Sequence, residues 1–250
     1  MRLLTAPLLA AFPHGFTTRA GGVSPAPWDS LNLGGAVGDE PERVAENWRR
    51  LEGETRLGFA RVRQVHGARA VIVGGPTPPV EEADVVVSSR AGVAACVSVA
   101  DCVPVLIADP GSGAVAAVHA GWRGTLARAA AEGVRALVAE AGSSPADLVA
   151  AVGPSIGPCC YEVSPDLVER FREEIGRDAV VPDAPRLDLW AANVSILRAA
   201  GLLPGRVEVL GRCTSCERDL FFSHRRDGGR TGRQVAFIAP RRLQAGGPLP

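Results

Sequence analysis

The stretch ADVVVSSRAGVAACVSVADCVPVLIADPGSGAVAAVHA, residues 83–120, decides the fold class. It holds four short apolar runs, Ala83–Val87, Val93–Val99, Pro104–Ala108 and Ala114–Val118. They are dense in Val, and Gly, Pro and Asp separate them. β-Branched runs of this length between turn residues read as consecutive strands.

Working outward, the preceding residues add strands at Ala60–Val65 and Ala70–Val73, and a helix over 41–52 that starts at Pro41 and carries Val44, Trp48 and Leu51 on one face. Residues 19–38, rich in Gly, Pro and Ser, read as an extended loop, and Met1–Phe12 as an N-terminal strand rather than a secretory signal. On the C-terminal side an Ala-rich helix runs from about Gly124 to Glu140. A strand at Leu148–Val152 follows, then helices over Pro165–Ile175 and Leu187–Ala200 and strands at Val207–Leu210 and Gln234–Ile238. Helices and strands interleave without a regular βαβ rhythm. This favours an α+β fold on a mixed-sheet core, in one domain spanning 1–250. No GxGxxG follows a strand to open a helix, so a dinucleotide fold is not expected.

The chain has 250 residues, with Lys+Arg and Asp+Glu both 27. Balanced charge gives no support for nucleic acid or an anionic membrane as partner, and no apolar run is long enough to span a bilayer. Every basic residue is Arg. This removes Schiff-base and P-loop lysine chemistry and leaves anions to Arg, backbone N–H groups or metal. Six cysteines without a convincing signal peptide suggest a reducing, cytoplasmic setting.

His66 and His119 each end an expected strand, and Cys102 lies in the turn Ala100-Asp101-Cys102-Val103-Pro104. Strand ends present side chains to a shared cleft. Two imidazoles and a thiolate suit Zn²⁺ or copper and leave a fourth position open, which is the pattern of catalytic sites. Their separations, 36 and 17 residues, match no short metal motif. Alternatively, Cys102 is a nucleophile, although no base–orienter pair is evident beside it. Asp101 either orients a ligand imidazole or caps its turn, and His14 reads as structural. Cys213-Thr214-Ser215-Cys216 with Cys159-Cys160 upstream admits a structural zinc site. Adjacent cysteines make awkward paired ligands and a second CxxC is lacking, so a free thiol pair is the expected reading. Arg225, beside His224, either binds an anion or belongs to a solvated run.

At these residues the chain resembles the laccase-domain, or multicopper polyphenol oxidase, family of YfiH type, whose members have been reassigned as purine nucleoside phosphorylases. The matching pieces are Ser30-Leu31-Asn32-Leu33-Gly34, Gln64-Val65-His66-Gly67, Ala100-Asp101-Cys102-Val103-Pro104 and His119-Ala120-Gly121-Trp122-Arg123-Gly124-Thr125. They continue with Gly153-Pro154-Ser155-Ile156-Gly157, Cys159-Cys160-Tyr161-Glu162-Val163, Phe222-Ser223-His224-Arg225-Arg226-Asp227 and Thr231-Gly232-Arg233. They stand in the family's order across nearly the whole chain.

The resemblance implies a layered α/β/β/α sandwich with mixed sheets, similar to the catalytic domain of deamidating toxins. It implies metal ligation by His66, Cys102 and His119, with zinc expected and copper as the alternative. The implied activity is phosphorolysis of adenosine, inosine and methylthioadenosine, with adenosine deamination. Polyphenol oxidation and cysteine-type hydrolysis or amidase editing of peptidoglycan precursors are the alternatives. Catalytic roles are expected for Cys102, His119 and Arg123, and substrate contacts for Asn32, Gln64 and Arg225. The expected partners are a purine nucleoside and phosphate, on a monomer or small homo-oligomer. A multicopper centre needs many His ligands, and this chain has 4 His.

Overall fold

A computed structural model of the chain describes residues 1–76 and 81–241. Its strands are β1 (Leu3–Leu4), β2 (His14–Thr17), β3 (Gly58–Ala60), β4 (Ala70–Val73), β5 (Val85–Ser88), β6 (Val93–Val99), β7 (Val103–Ala108), β8 (Val115–Ala120), β9 (Val149–Val152), β10 (Val207–Val209) and β11 (Gln234–Ile238). The helices are α1 (Pro41–Thr55), α2 (Trp122–Leu126), α3 (Ala129–Ala141), α4 (Pro165–Glu174) and α5 (Leu189–Ala199). Two mixed sheets form, one in the order β1-β2-β11-β6-β3 and the other β10-β9-β7-β8-β5-β4.

Alternate residues of the larger sheet serve two cores, because successive side chains on a strand point to opposite faces. Val85, Val87, Val105, Ile107 and Val118 pack with Val134 and Leu137 of α3 and Ile196 of α5. Val86, Leu106, Ala117 and Ala151 face the other way and meet Phe16, Val97, Ala236 and Ile238 of the smaller sheet. Beyond that sheet, Phe59, Cys96 and Phe237 pack on Val44, Trp48 and Leu51 of α1. The result is an α/β/β/α sandwich, as expected. The larger sheet is covered on both faces, which is why its strands read as unbroken apolar runs rather than alternating ones.

Three expected elements differ. The strand expected over Ala60–Val65 ends at Ala60, and the polar Arg61–Gln64 segment leaves the sheet to line a cavity. The helix expected over 124–140 is two helices, α2 and α3, separated at Arg128, which adopts a left-handed conformation with φ 57°. The N-terminal strand is reduced to Leu3–Leu4. The following residues form a 3₁₀ turn at Pro7–Leu9, and His14 secures it by accepting the Ala6 N–H at 2.8 Å. No helix among the described residues is long and apolar enough to cross a membrane.

Candidate active site

The antiparallel register of β7 on β8 pairs Val103 with Ala120 and Pro104 with His119. Cys102, just before β7, therefore lies beside His119 near the end of β8. Asp84, immediately before β5, reaches His119 and the turn that carries His66. Its Oδ1 accepts the His66 N–H at 3.0 Å and meets His119 Nδ1 at 2.7 Å. Its Oδ2 accepts the N–H groups of Val65 at 3.2 Å and Gly67 at 2.7 Å. One buried carboxylate thus shapes the turn carrying His66 and fixes the His119 ring, leaving Nε2 as that ring's available ligand atom.

The turn is tight. His66 has φ 62° and Asp101 φ 85°, both in the left-handed region. Gly121 is required beside them, because a Cβ there would stand 2.7 Å from Cys102 Sγ.

One donor atom from each of His66, Cys102 and His119 comes together within 4.8 Å. The imidazole rings lie 4.8 Å apart, edge to face. His119 is buried, Cys102 half-buried and His66 exposed, so the site opens on one side. Burial alone would raise the Cys102 thiol, but the two imidazoles outweigh it and bring it down to about 6. Burial alone would lower His119, yet Cys102 and Asp84 raise it to about 9. The donors are pre-arranged as a thiolate beside two imidazoles, a set that fits a borderline metal ion with a coordination position left open.

The site forms part of the wall of a cavity of about 900 Å³. Arg61, Arg63, Arg123, Arg225 and Arg233 line it, against Asp101 as the sole lining carboxylate among the described residues. Arg225 lies over the Tyr161 ring at 5.3 Å and Arg123 over Trp122 at 4.4 Å. Cation–π seats of this kind hold a guanidinium in place while leaving its edge for other partners.

The expected substrate contacts separate into different positions. Arg123 and Arg225 line the cavity, as does Gln64. Both ends of the Gln64 amide, however, are already engaged by the Ser98 backbone, at 2.8 and 2.7 Å. Asn32 lies outside the cavity, fully buried. Its amide donates to Gly34 and Asp39, and its carbonyl accepts from the N–H groups of Gly34 and Arg233. Asn32 therefore positions the Arg233 segment from behind the wall.

Asp101 does not orient an imidazole. It accepts from the Thr214 hydroxyl and the Arg225 N–H, both at 2.6 Å, and Asp84 has the orienting role instead. Asp84 escaped the sequence reading, and Arg233 stood there only within the matching piece Thr231-Gly232-Arg233, without a role. The available signal was an acid at the head of the wholly buried strand Val85–Ser88, where an unpartnered charge would not be tolerated.

Fold and site together define a class: a double-sheet α/β/β/α scaffold that presents a two-His, one-Cys centre in an arginine-lined cavity. The multi-copper polyphenol oxidoreductase laccase family model matches residues 13–241, and the chain belongs to that family. A relative from Deinococcus radiodurans called purine nucleoside phosphorylase is 44% identical, over 96% of this chain and 94% of its own length. Among solved structures, YlmD from Geobacillus stearothermophilus superposes with a TM-score of 0.88 at 38% identity, covering 95% of this chain and 94% of that one. The hypothetical protein YfiH of Bacillus licheniformis gives 0.90 at 34% identity, over 96% of both chains.

Proposed function

We propose that this protein is a zinc-dependent purine nucleoside phosphorylase acting on adenosine, inosine and methylthioadenosine, with adenosine deamination as a second activity. The observation that carries the reading is the His66–Cys102–His119 cluster in a cavity lined by five arginines and one carboxylate. Such a cavity attracts an anionic co-substrate. Relatives named purine nucleoside phosphorylase support the same reading.

In phosphorolysis a phosphate oxygen attacks ribose C1′ as the C1′–N9 bond breaks. The bonding electrons leave with the base, which then takes up a proton. Arg123, Arg225 and Arg233 bind and orient the phosphate, since planar guanidinium groups match its oxygens. Tyr161 keeps its proton, because burial and the nearby Cys102 raise it to about 12, and it offers the cavity a hydrogen-bond donor. His66, Cys102 and His119 would hold zinc, which would supply Lewis acidity at this centre. In deamination, water replaces phosphate as nucleophile and attacks C6, and ammonia leaves.

Polyphenol oxidation through a multicopper centre finds too few ligands. Of the 4 His, His14 is engaged with Ala6 and Phe12, and the remaining three cannot furnish several copper sites.

A second reading has its own observation in favour. Cys102, His119 and Asp84 form a thiolate, imidazole and carboxylate line, the base–orienter pair that a cysteine hydrolase or precursor-editing amidase needs.

The deciding experiment is chromatography of base released from adenosine and inosine, with and without phosphate, using Cys102→Ala protein as control. Phosphate-dependent adenine and hypoxanthine from the parent alone is the expected result. Inosine from adenosine without free base would assign deamination only. No product from either nucleoside, with activity on amides lost on alkylating Cys102 in metal-free protein, would transfer the site to the hydrolase reading.

A further inference from the structure

Four cysteines outside the cavity converge on one point. Cys159 and Cys160 lie in a tight turn in which the Gly157 carbonyl accepts the N–H groups of both Cys160 and Tyr161 at 3.0 Å. Cys213 and Cys216 flank a second turn, closed by the Glu217 N–H on the Cys213 carbonyl at 3.0 Å. A parallel bridge between Ser155 and Cys213 zips the two turns together. All four sulfur atoms lie within 4.8 Å of one another. The Cys216 sulfur stands 3.6 Å from that of Cys159 and 3.4 Å from that of Cys160. The adjacency that made Cys159 and Cys160 look awkward as paired ligands is resolved by the turn.

We propose that Cys159, Cys160, Cys213 and Cys216 form a second, structural metal site that binds one zinc ion as a tetrathiolate. Zn–S bonds of about 2.3 Å in a tetrahedron put the sulfurs about 3.8 Å apart; the Cys216 separations of 3.6 and 3.4 Å fall just short of that, and all four sulfurs stay within 4.8 Å. All four thiols are free, with no disulfide among them. The Gly157 N–H donates to Cys213 Sγ at 3.3 Å, a contact typical of the shell that holds a ligating thiolate. Coordination supplies four donors and no open position, the structural rather than the catalytic pattern. Each thiol gives up its proton to solvent as it ligates as a thiolate.

The position tells what the ion would hold. Tyr161 follows Cys160 directly, and Thr214, inside the second turn, donates to Asp101 beside Cys102. Arg226 donates to the Thr214 carbonyl at 2.7 Å, and Arg225, its neighbour, lies on Tyr161. The ion therefore pins two loops that carry one wall of the cavity, without touching substrate.

The test uses full-length protein and elemental analysis after removal of loose metal. The parent should carry two zinc equivalents. His66→Ala/His119→Ala protein should keep one, and so should Cys159→Ser/Cys216→Ser protein, while the combined variant keeps none. Cobalt loaded into the His66→Ala/His119→Ala variant should show thiolate-to-metal charge transfer in the near ultraviolet, lost when Cys159 and Cys216 become serine. The proposal is overturned if the His66→Ala/His119→Ala variant binds no metal while its cysteines titrate as free thiols. A mass two hydrogens light, placing a disulfide among the four, overturns it equally. Neither result depends on nucleoside turnover, so this site and the phosphorylase reading stand or fall separately.

Discussion

Asp84 shows how a single side chain organises the centre. It is fully buried, takes hydrogen bonds from three consecutive N–H groups and holds the His119 ring. An asparagine in its place keeps the volume, but its NH₂ group turns one acceptor edge into a donor facing another donor. Asp84→Asn should therefore lower metal affinity about 10–100-fold, measured by competition with a chromophoric chelator. It should also cost about 1–3 kcal/mol of stability through an unsatisfied buried group. Unchanged affinity would mean that the His119 orientation does not depend on this carboxylate.

The close approach of α3 to β8 places the element that anchors the site. Gly133 faces the sheet, and a Cβ there would stand 2.6 Å from Val118 Cγ2 and 3.1 Å from Ile107 Cδ1. Helix propensity alone favours Ala or Leu over Gly by up to about 1 kcal/mol, so packing has decided this position. Gly133→Leu should destabilise by about 1–3 kcal/mol through overpacking, read as a lower urea midpoint. Because α3 follows α2 after only two residues, the displacement should also reach Arg123 and lower activity. A stabilised variant would show that the interface has slack.

Across the whole molecule, carboxylates are used as ties. Asp109 resists its burial by accepting from Ser112, Ser143 and the Gly111 N–H, and is held below the ordinary 3.8. Asp84 and Asp227 are lowered in the same way: against burial, hydrogen bonds from His119 and Arg226 respectively prevail. A group depressed by folding contributes stability above its unfolded value and loses it as pH falls through the folded one. The stability these carboxylates contribute should thus hold from neutral pH down to the carboxylate range and fall below about 3.8, and Asp109→Asn should flatten that fall. Denaturant midpoints measured across pH check both. A fall that begins well above pH 5, outside the range where ordinary carboxylates titrate, would place the acid-sensitive groups elsewhere.

Most strands and helices were legible because they rest on local periodicity, whereas the layered sandwich was implied by the family resemblance. Valine-rich runs between turn residues make strands whatever surrounds them, and Val44, Trp48 and Leu51 mark one face of α1. His66, Cys102 and His119 were nameable as residues with suitable chemistry at strand ends. What joined them was β7–β8 register and the reach of Asp84, which are relations between segments distant in sequence. The break between α2 and α3 carries no Gly or Pro at Ala127 or Arg128 to announce it, so packing sets it. Asn32 looked like a substrate contact because an amide can bind almost anything, and only burial shows it bonded to its own loop. The four-cysteine cluster is the sharpest case. In sequence Cys159-Cys160 and Cys213-x-x-Cys216 lie far apart, and a metal site needs convergence in space, which the Ser155–Cys213 bridge provides. Composition and periodicity marked most of the elements and the side chains that carry chemistry. Tertiary structure alone decided which of those side chains meet, because that depends on register and burial between elements rather than on any residue's own neighbours.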